Sequence, residues 1–450
     1  MVTLYPYQQT GVEFLRKHRR AILGDEMGLG KTAQVLTALP TGRTVTSLAT
    51  GRKVVLGPNP RTVVVCPASV RHVWANEAAL WRPDLTVDVV ETGKHAPTSA
   101  DLTVISYDLF GRVRLPRPAT IVCDEAHYLQ SRNSRRTAAV YFGAGEAQAR
   151  SAIRLWLLTG TPLWSRPRSL FPLLHLCAGT TLGRYTNYHR YAVQFCAGAT
   201  VRRPRRGGFK NVFDDTGASN LEELRELLGP YLLRRLKADV LDELPGKTRQ
   251  FIPINSKLSK AERELDALDF DSLGDNGLPP GPIATAVKET ALLKVGSVAA
   301  HVRDVLANED KVVVFAWNRA VMDALETALH DEYGVARIDG STPAKSRPAT
   351  IRSFQENTSA SANRPRVFLG QTVAAGTGIT LTAARVVVFA QPDWTPANLL
   401  QAEDRVHRIG QPDNVLVHYL VTRGSIEETM LSKVRDKLDT SGEVLGEERR

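Results

Sequence analysis

Nine short runs of Val, Ile, Leu and Phe constrain this chain more than any other feature. Four lie in the first half: "TVVVCP" (62–67), "LTVISY" (102–107), "TIVCDEA" (120–126) and "LWLLTGTP" (155–162). Five lie in the second: "KVVVFAW" (311–317), "ARID" (336–339), "RVFLG" (366–370), "RVVVFA" (385–390) and "VLVHYLV" (415–421). Most are continuously apolar rather than alternating. A strand of that kind is buried on both faces, which is the habit of parallel sheets covered by helices. The stretches between the runs are long enough to hold crossover helices. Because the pattern comes twice in 450 residues, it predicts two α/β lobes.

Between the two sets the texture changes. "SNLEELRELLGPYLLRRLKADVLDELPGK" (219–247) has helical periodicity, with Asn220 as a cap ahead of Glu223. "LPGKTRQ" (244–250) reads as a linker and "LGDNGLPPGP" (273–282) as a loop. The boundary is placed near 250. Lobe one is then 1–250, with a helical insertion at about 165–245. Lobe two is 251–450, with a helical insertion at about 256–305. Residues 37–53 and 356–366 read as exposed loops.

The four cysteines (Cys66, Cys123, Cys177, Cys196) show no C-x-x-C spacing, which argues against a zinc site or a disulfide framework. The N-terminus lacks the basic-then-apolar pattern of a signal peptide, and no run approaches the ~18 apolar residues of a membrane span. The expected setting is intracellular, without a membrane. A formal net charge of +11 points to a polyanionic partner, most simply nucleic acid, although a basic enzyme would carry the same charge.

One segment carries recognisable chemistry: "GDEMGLGKT", 24–32. In a phosphate-binding loop, backbone N–H groups surround the phosphates, a lysine reaches the β- and γ-phosphates, and the next hydroxyl binds Mg²⁺. Asp25, Glu26, Met27, Gly28, Leu29 and Gly30 would form the loop, with Lys31 and Thr32 in the last two roles. Asp25 stands where the usual pattern has its first glycine. "TIVCDEAH" supplies the second half: Asp124 at a strand tip for Mg²⁺, and Glu125 to orient and deprotonate the attacking water. His127 would relay to a neighbouring motif or simply fill space. Hydrolysis of this kind also needs positive charge on the γ-phosphate. Arg405 and Arg408 in "QAEDRVHRIGQ" (401–411) are three apart and predicted to share one helix face, which could equally be an ordinary basic face.

With these motifs in place, the sequence resembles the Swi/Snf-like branch of superfamily-2 helicases, and within it the HARP-type annealing-helicase subgroup. The strings "LYPYQQTGVEFL" (4–15), "GDEMGLGKT", "VVVCPASVRHVWANE" (63–77), "VISYD" (104–108), "DEAH" (124–127), "LLTGTP" (157–162), "LLRRLKADVLDELPGK" (232–247), "VVVFAWN" (312–318), "RIDGST" (337–342), "AAGTGITLTAA" (374–384) and "QAEDRVHRIGQ" occur in the family's order. The resemblance implies two RecA-like lobes and a brace helix at about 425–440. It also implies ATP and Mg²⁺, with Gln8 on the adenine and Gly378 at the nucleotide. The partner it implies is double-stranded or branched DNA, held by phosphate contacts. Candidates for those contacts are Ser69, Arg71, Ser106, Tyr107, Trp317, Asn318, Thr377 and Thr380.

The implied activity is DNA-dependent ATP hydrolysis that drives translocation on the duplex, in a monomer. The alternatives are a strand-separating helicase, a motor subunit of a restriction or recombination complex, or an ATP-binding scaffold without turnover. The bacterial or virus-infected bacterial cytoplasm is the expected location. Asp25 and Glu26, two acids beside a triphosphate, are expected to face away from it onto a basic or N–H partner, perhaps from the other lobe. The basic stretches "SRNSRRTAA" (131–139) and "TVRRPRRGGFK" (200–210) are either DNA contacts or solvated faces.

Overall fold

Strand β1 (Arg20–Leu23) leads directly into the "GDEMGLGKT" segment, and the first sheet is assembled around it. The computed structural model describes residues 3–40, 43–46, 53–56, 61–115, 118–131, 134–141, 152–160, 166–205, 208–241, 243–263, 281–343, 345–356, 364–374, 379–393 and 395–445. A small antiparallel hairpin follows β1, made of β2 (Arg43–Thr46) and β3 (Lys53–Leu56). It occupies part of the stretch expected to be loop. Then come β4 (Thr62–Cys66), β5 (Val87–Val89), β6 (Leu102–Ser106), β7 (Thr120–Cys123) and β8 (Arg154–Leu158). A second hairpin, β9 (Ala199–Arg205) with β10 (Gly208–Asp214), precedes a two-residue strand, β11 (Leu232–Leu233).

The main sheet of this half has the order β11-β1-β8-β7-β4-β6-β5, with every pairing parallel. Side chains alternate across it with period two. Val63, Val65, Ile121, Cys123, Leu155 and Leu157 join one apolar cluster, while Val64, Cys66, Val122, Trp156 and Leu158 join the cluster on the other face. Burial on both faces explains why the runs are apolar at every position.

The second sheet has the order β12-β17-β16-β13-β15-β14, again all parallel. Its strands are β12 (Lys247–Ile254), β13 (Val312–Ala316), β14 (Val335–Ile338), β15 (Val367–Gln371), β16 (Val386–Phe389) and β17 (Val415–Thr422). The same alternation divides Val313, Phe315, Phe389 and Val417 from Val312, Val314, Val388 and Leu420. The chain thus forms two compact units, one of residues 1–240 with 440–450, the other of 241–439.

Several expectations change here. The supposed linker 244–250 runs into β12, which pairs with β17 along its whole length. The 165–245 insertion is not wholly helical: it has helices at Phe171–Ala178, Tyr188–Phe195 and Leu221–Leu228, but also the β9–β10 hairpin and β11. Asn220 has φ 48°, and its side chain bonds the Gln194 carbonyl at 2.7 Å rather than capping the helix. The second insertion contains helices at Lys260–Arg263, Gly281–Leu293 and Val295–Leu306, and the last helix is Ile426–Leu445. All four cysteines are buried. Among the described residues no helix is long and apolar enough to cross a membrane.

Candidate nucleotide site

Loops at the carboxyl ends of β1, β7 and β8 carry the candidate residues, the usual location for ligand sites in parallel α/β sheets. After β1 the chain turns through Gly28 (φ 85°) and Gly30 (φ 72°) into the helix Lys31–Ala38. Gly30 is doubly constrained. Its backbone is left-handed, and a Cβ there would stand 2.4 Å from Gln8 Nε2. Position 25 has no positive φ, so aspartate is tolerated where other loops have glycine. The helix start has no side-chain cap, which leaves first-turn N–H groups directed at the loop.

Gln8 is brought to this loop by the helix Pro6–Lys17. Its amide oxygen accepts the Tyr5 N–H at 3.0 Å, and Nε2 donates to the Leu29 carbonyl at 3.3 Å. Lys31 Nζ donates to the carbonyls of Asp25 and Glu26 at 2.7 and 3.3 Å. Burial lowers the pKa of this ammonium, opposed by the negative charges of Glu125, Asp25 and Asp124. Thr32 follows, partly buried, in the helix's first turn. Met27 lies against Gly160 of "LLTGTP", where a Cβ would come within 2.4 Å of Met27 Cγ. Thr161 and Pro162 lie outside the described residues.

Each of the two acids has a basic or N–H partner. The Asp25 carboxylate is completely buried, with Oδ1 2.9 Å from Arg235 Nε, Oδ2 on Arg235 Nη2, and Gln34 Nε2 at 3.0 Å. Glu26 Oε2 accepts the backbone N–H of Lys237 at 2.7 Å. Both partners belong to 235–237, in the same unit as the loop, and not to the other lobe. Arg234 adds a brace, donating to the carbonyls of Gly24 (2.6 Å) and Gly160 (2.7 Å).

At the tip of β7, Asp124 Oδ2 accepts the Trp74 indole N–H at 2.8 Å, and Oδ1 accepts the Glu125 N–H at 2.9 Å. Burial first, then the neighbouring Glu125 charge, pushes the Asp124 carboxyl up to about 6. The Trp74 hydrogen bond and Lys31 oppose that rise. Glu125 has φ 50°, a strained backbone for a residue with a side chain, and its carboxylate stands 3.2 Å from His127 Nδ1. A divalent cation fits this chemistry. Mg²⁺ is commonly held by one or two carboxylates together with substrate phosphates rather than by a protein cage.

In the second unit Arg405 and Arg408 come together, though not on one continuous helix. The helix Pro396–Glu403 ends first, and both guanidiniums reach the Ile379 carbonyl from the turns beyond, at 3.4 and 3.3 Å. Arg408 also donates to Thr380 Oγ1 at 2.9 Å. Thr377 and Gly378 lie outside the described residues.

The proposed DNA contacts divide. Ser69 is exposed. Arg71 is engaged by the Val90 carbonyl, the Ala68 carbonyl (3.2 Å) and Glu91 (3.2 Å), so it braces its own lobe. Ser106 and Tyr107 are buried, and the Tyr107 hydroxyl donates to the Asp124 carbonyl at 2.7 Å. The Tyr107 side chain thus supports the strand tip, and both side chains lie inside the lobe rather than on its surface. Asn318 caps the helix Arg319–Tyr333 by accepting the Ala320 N–H, and Trp317 packs on Ile283, Val287, Ile426 and Met430.

The family model of the SNF2-related domain matches residues 7–265, more than half of the chain. The chain belongs to the SNF2-related domain family. The helicase conserved C-terminal domain matches residues 297–410, so this SNF2-related chain has the expected pair of RecA-like parallel-sheet lobes. Over 98% of its length it is 32% identical to a Caenorhabditis elegans homolog of the SWI/SNF-related matrix-associated actin-dependent regulator of chromatin subfamily A-like protein 1, of which it covers 62%. It is also 32% identical, again over 98%, to the human DNA annealing helicase and endonuclease ZRANB3, of which it covers 40%. These are the HARP-type relatives that the motifs suggested. Among solved structures, the Sulfolobus solfataricus SWI2/SNF2 ATPase core in complex with dsDNA is 22% identical, covering 98% of this chain and 94% of that one with a TM-score of 0.43.

Motif reading missed Trp74, Arg234 and Arg235. The last two stand within "LLRRLKAD", so the signal was there. What it lacked was a partner, which lies 210 residues away in sequence.

Proposed function

We propose that the protein is a DNA-dependent ATPase that translocates on double-stranded DNA and remodels or anneals branched structures such as forks. One observation carries this reading: the turn through Gly28 and Gly30, the Lys31 ammonium, Gln8 and the Asp124–Glu125 strand tip gather at one end of the first sheet. Family membership and the names of the relatives give that arrangement its direction.

In this mechanism Gln8 reads the adenine edge, and the loop N–H groups with Lys31 hold the β- and γ-phosphates. Thr32 and Asp124 would hold Mg²⁺, which would supply positive charge to the phosphates. Glu125 orients the attacking water and takes its proton, with His127 3.2 Å from its carboxylate. Arg405 and Arg408 supply charge to the γ-phosphate as it is transferred. Ser69, Trp317, Asn318, Thr377 and Thr380 remain as candidates for phosphate contact, which would carry no base reading. The location proposed with this function is a bacterial or virus-infected bacterial cytoplasm, and the working form a monomer.

ATP turnover measured side by side with duplex, single-stranded and forked DNA tests the reading. Stimulation by duplex, and more by forks, is expected. Turnover that ignores DNA would favour a scaffold, stimulation by RNA would remove the DNA reading, and displacement of a paired strand would favour a true helicase.

A further inference from the structure

The β9–β10 hairpin is not used by the nucleotide site, and its composition is peculiar. Arg203 stands directly opposite Lys210 in the antiparallel register, a like-charge pairing that works against the hairpin. Arg203 has an acidic partner, Asp214 at 2.9 Å. On the opposite face of the ribbon the Arg202 guanidinium lies 4.4 Å from the centre of the Phe209 ring. Phe209 is 62% exposed, the most exposed large hydrophobic residue among the described residues. The other end of the hairpin is anchored: Phe213 stacks on His189 at 4.6 Å and packs on the main core. Arg168 and Tyr188 both hold Asp215, just beyond β10. Residues 208–211 are exposed one after another, so the hairpin projects a charged end from a fixed base.

A folded hairpin that keeps opposed cations and an uncovered aromatic ring departs from local stability rules, and such departures concentrate at functional sites. Cations beside an exposed ring match a nucleic-acid strand with unpaired bases: the ring offers a stacking face and the cations meet phosphates. A fully paired duplex would use the cations but not the ring. We propose that the hairpin end binds an unpaired strand, with Phe209 on Arg202 as the base platform and Arg203 and Lys210 on the backbone. This rests on the reading that branched DNA is the partner, and it gives that reading a cause for preferring forks to plain duplex.

The test is fluorescence anisotropy of the full chain, without nucleotide, on a fork with unpaired arms, a single strand and a blunt duplex. Phe209→Ala should weaken the fork and the single strand by at least about fivefold, the low end for one base–aromatic stack, and the blunt duplex by less than about twofold. Phe209→Trp should restore binding. Arg202→Ala with Lys210→Ala should weaken all three DNAs and flatten the salt dependence. Both positions are exposed, so thermal melting should not move. Unchanged fork and single-strand binding in Phe209→Ala, or an equal loss on blunt duplex, would overturn the proposal. Because binding is read and not turnover, a protein whose ATPase ignores DNA but whose binding depends on Phe209 would lose the translocase reading and keep this one.

Discussion

At the residue scale, Asp25 answers the question that two acids beside a phosphate loop raise. Its carboxylate is sealed against Arg235, so the charge is spent on joining the loop to the strand-helix segment 232–240. Removing one partner of a buried pair leaves the other uncompensated, typically at a cost of about 3–5 kcal/mol. Arg235→Ala should therefore destabilise the first lobe by about that much in a denaturant titration. Replacing both members by apolar residues should cost less than the sum of the single changes, because no orphan charge then remains. Gly30→Ala is the second residue-scale prediction. A left-handed non-glycine costs about 1–3 kcal/mol, and the new methyl would press on Gln8 Nε2. The KM for ATP should rise more than the melting temperature falls, with an adenine-specific component lost.

At the scale of elements, Glu403 shows how the helix leading to the two arginines is fixed. Its buried carboxylate takes a two-pronged hydrogen bond from Arg249 at 2.8 Å, an ion pair from Lys247 at 2.8 Å and the Tyr419 hydroxyl at 2.8 Å. It thereby ties the helix Pro396–Glu403 to β12 and β17. Burial alone would raise its pKa; the charges of Lys247 and Arg249 outweigh that and hold it far below its ordinary 4.5. The unfolded chain therefore takes up the proton first as pH falls. The stabilisation is complete above about pH 4.5 and is lost as pH drops toward the folded value. Glu403→Gln should lower the second lobe's melting temperature at pH 7 and flatten its decline in acid.

This network also marks what could be read in advance. Most of the nine runs became strands because both faces of a parallel sheet demand apolar residues at successive positions; the edge strand β14 alternates instead. β12 escaped because the strand, "KTRQFIPI", is a largely exposed edge whose polar residues look like a linker. The β9–β10 hairpin escaped because its charges hide any alternation. Ser106 and Tyr107 are ambiguous for a related reason: a polar residue at a strand tip can face a ligand or brace the tip, and the Tyr107 bond to the Asp124 carbonyl is not visible in the sequence.

For the whole molecule, the family's motifs extend over both sheets, and that is why the architecture was legible while the partners of individual charges were not. A net charge of +11 and the proposed short polar phosphate contacts predict duplex binding that weakens steeply with salt and hardly with sequence. The claim of directed movement is tested most directly by triplex displacement. A third strand bound to one end of a duplex is followed while the protein hydrolyses ATP. The account predicts ATP-dependent release of the third strand with the two duplex strands still paired, and no release with Lys31→Ala. A third strand that stays bound while DNA-stimulated ATP hydrolysis proceeds would contradict it.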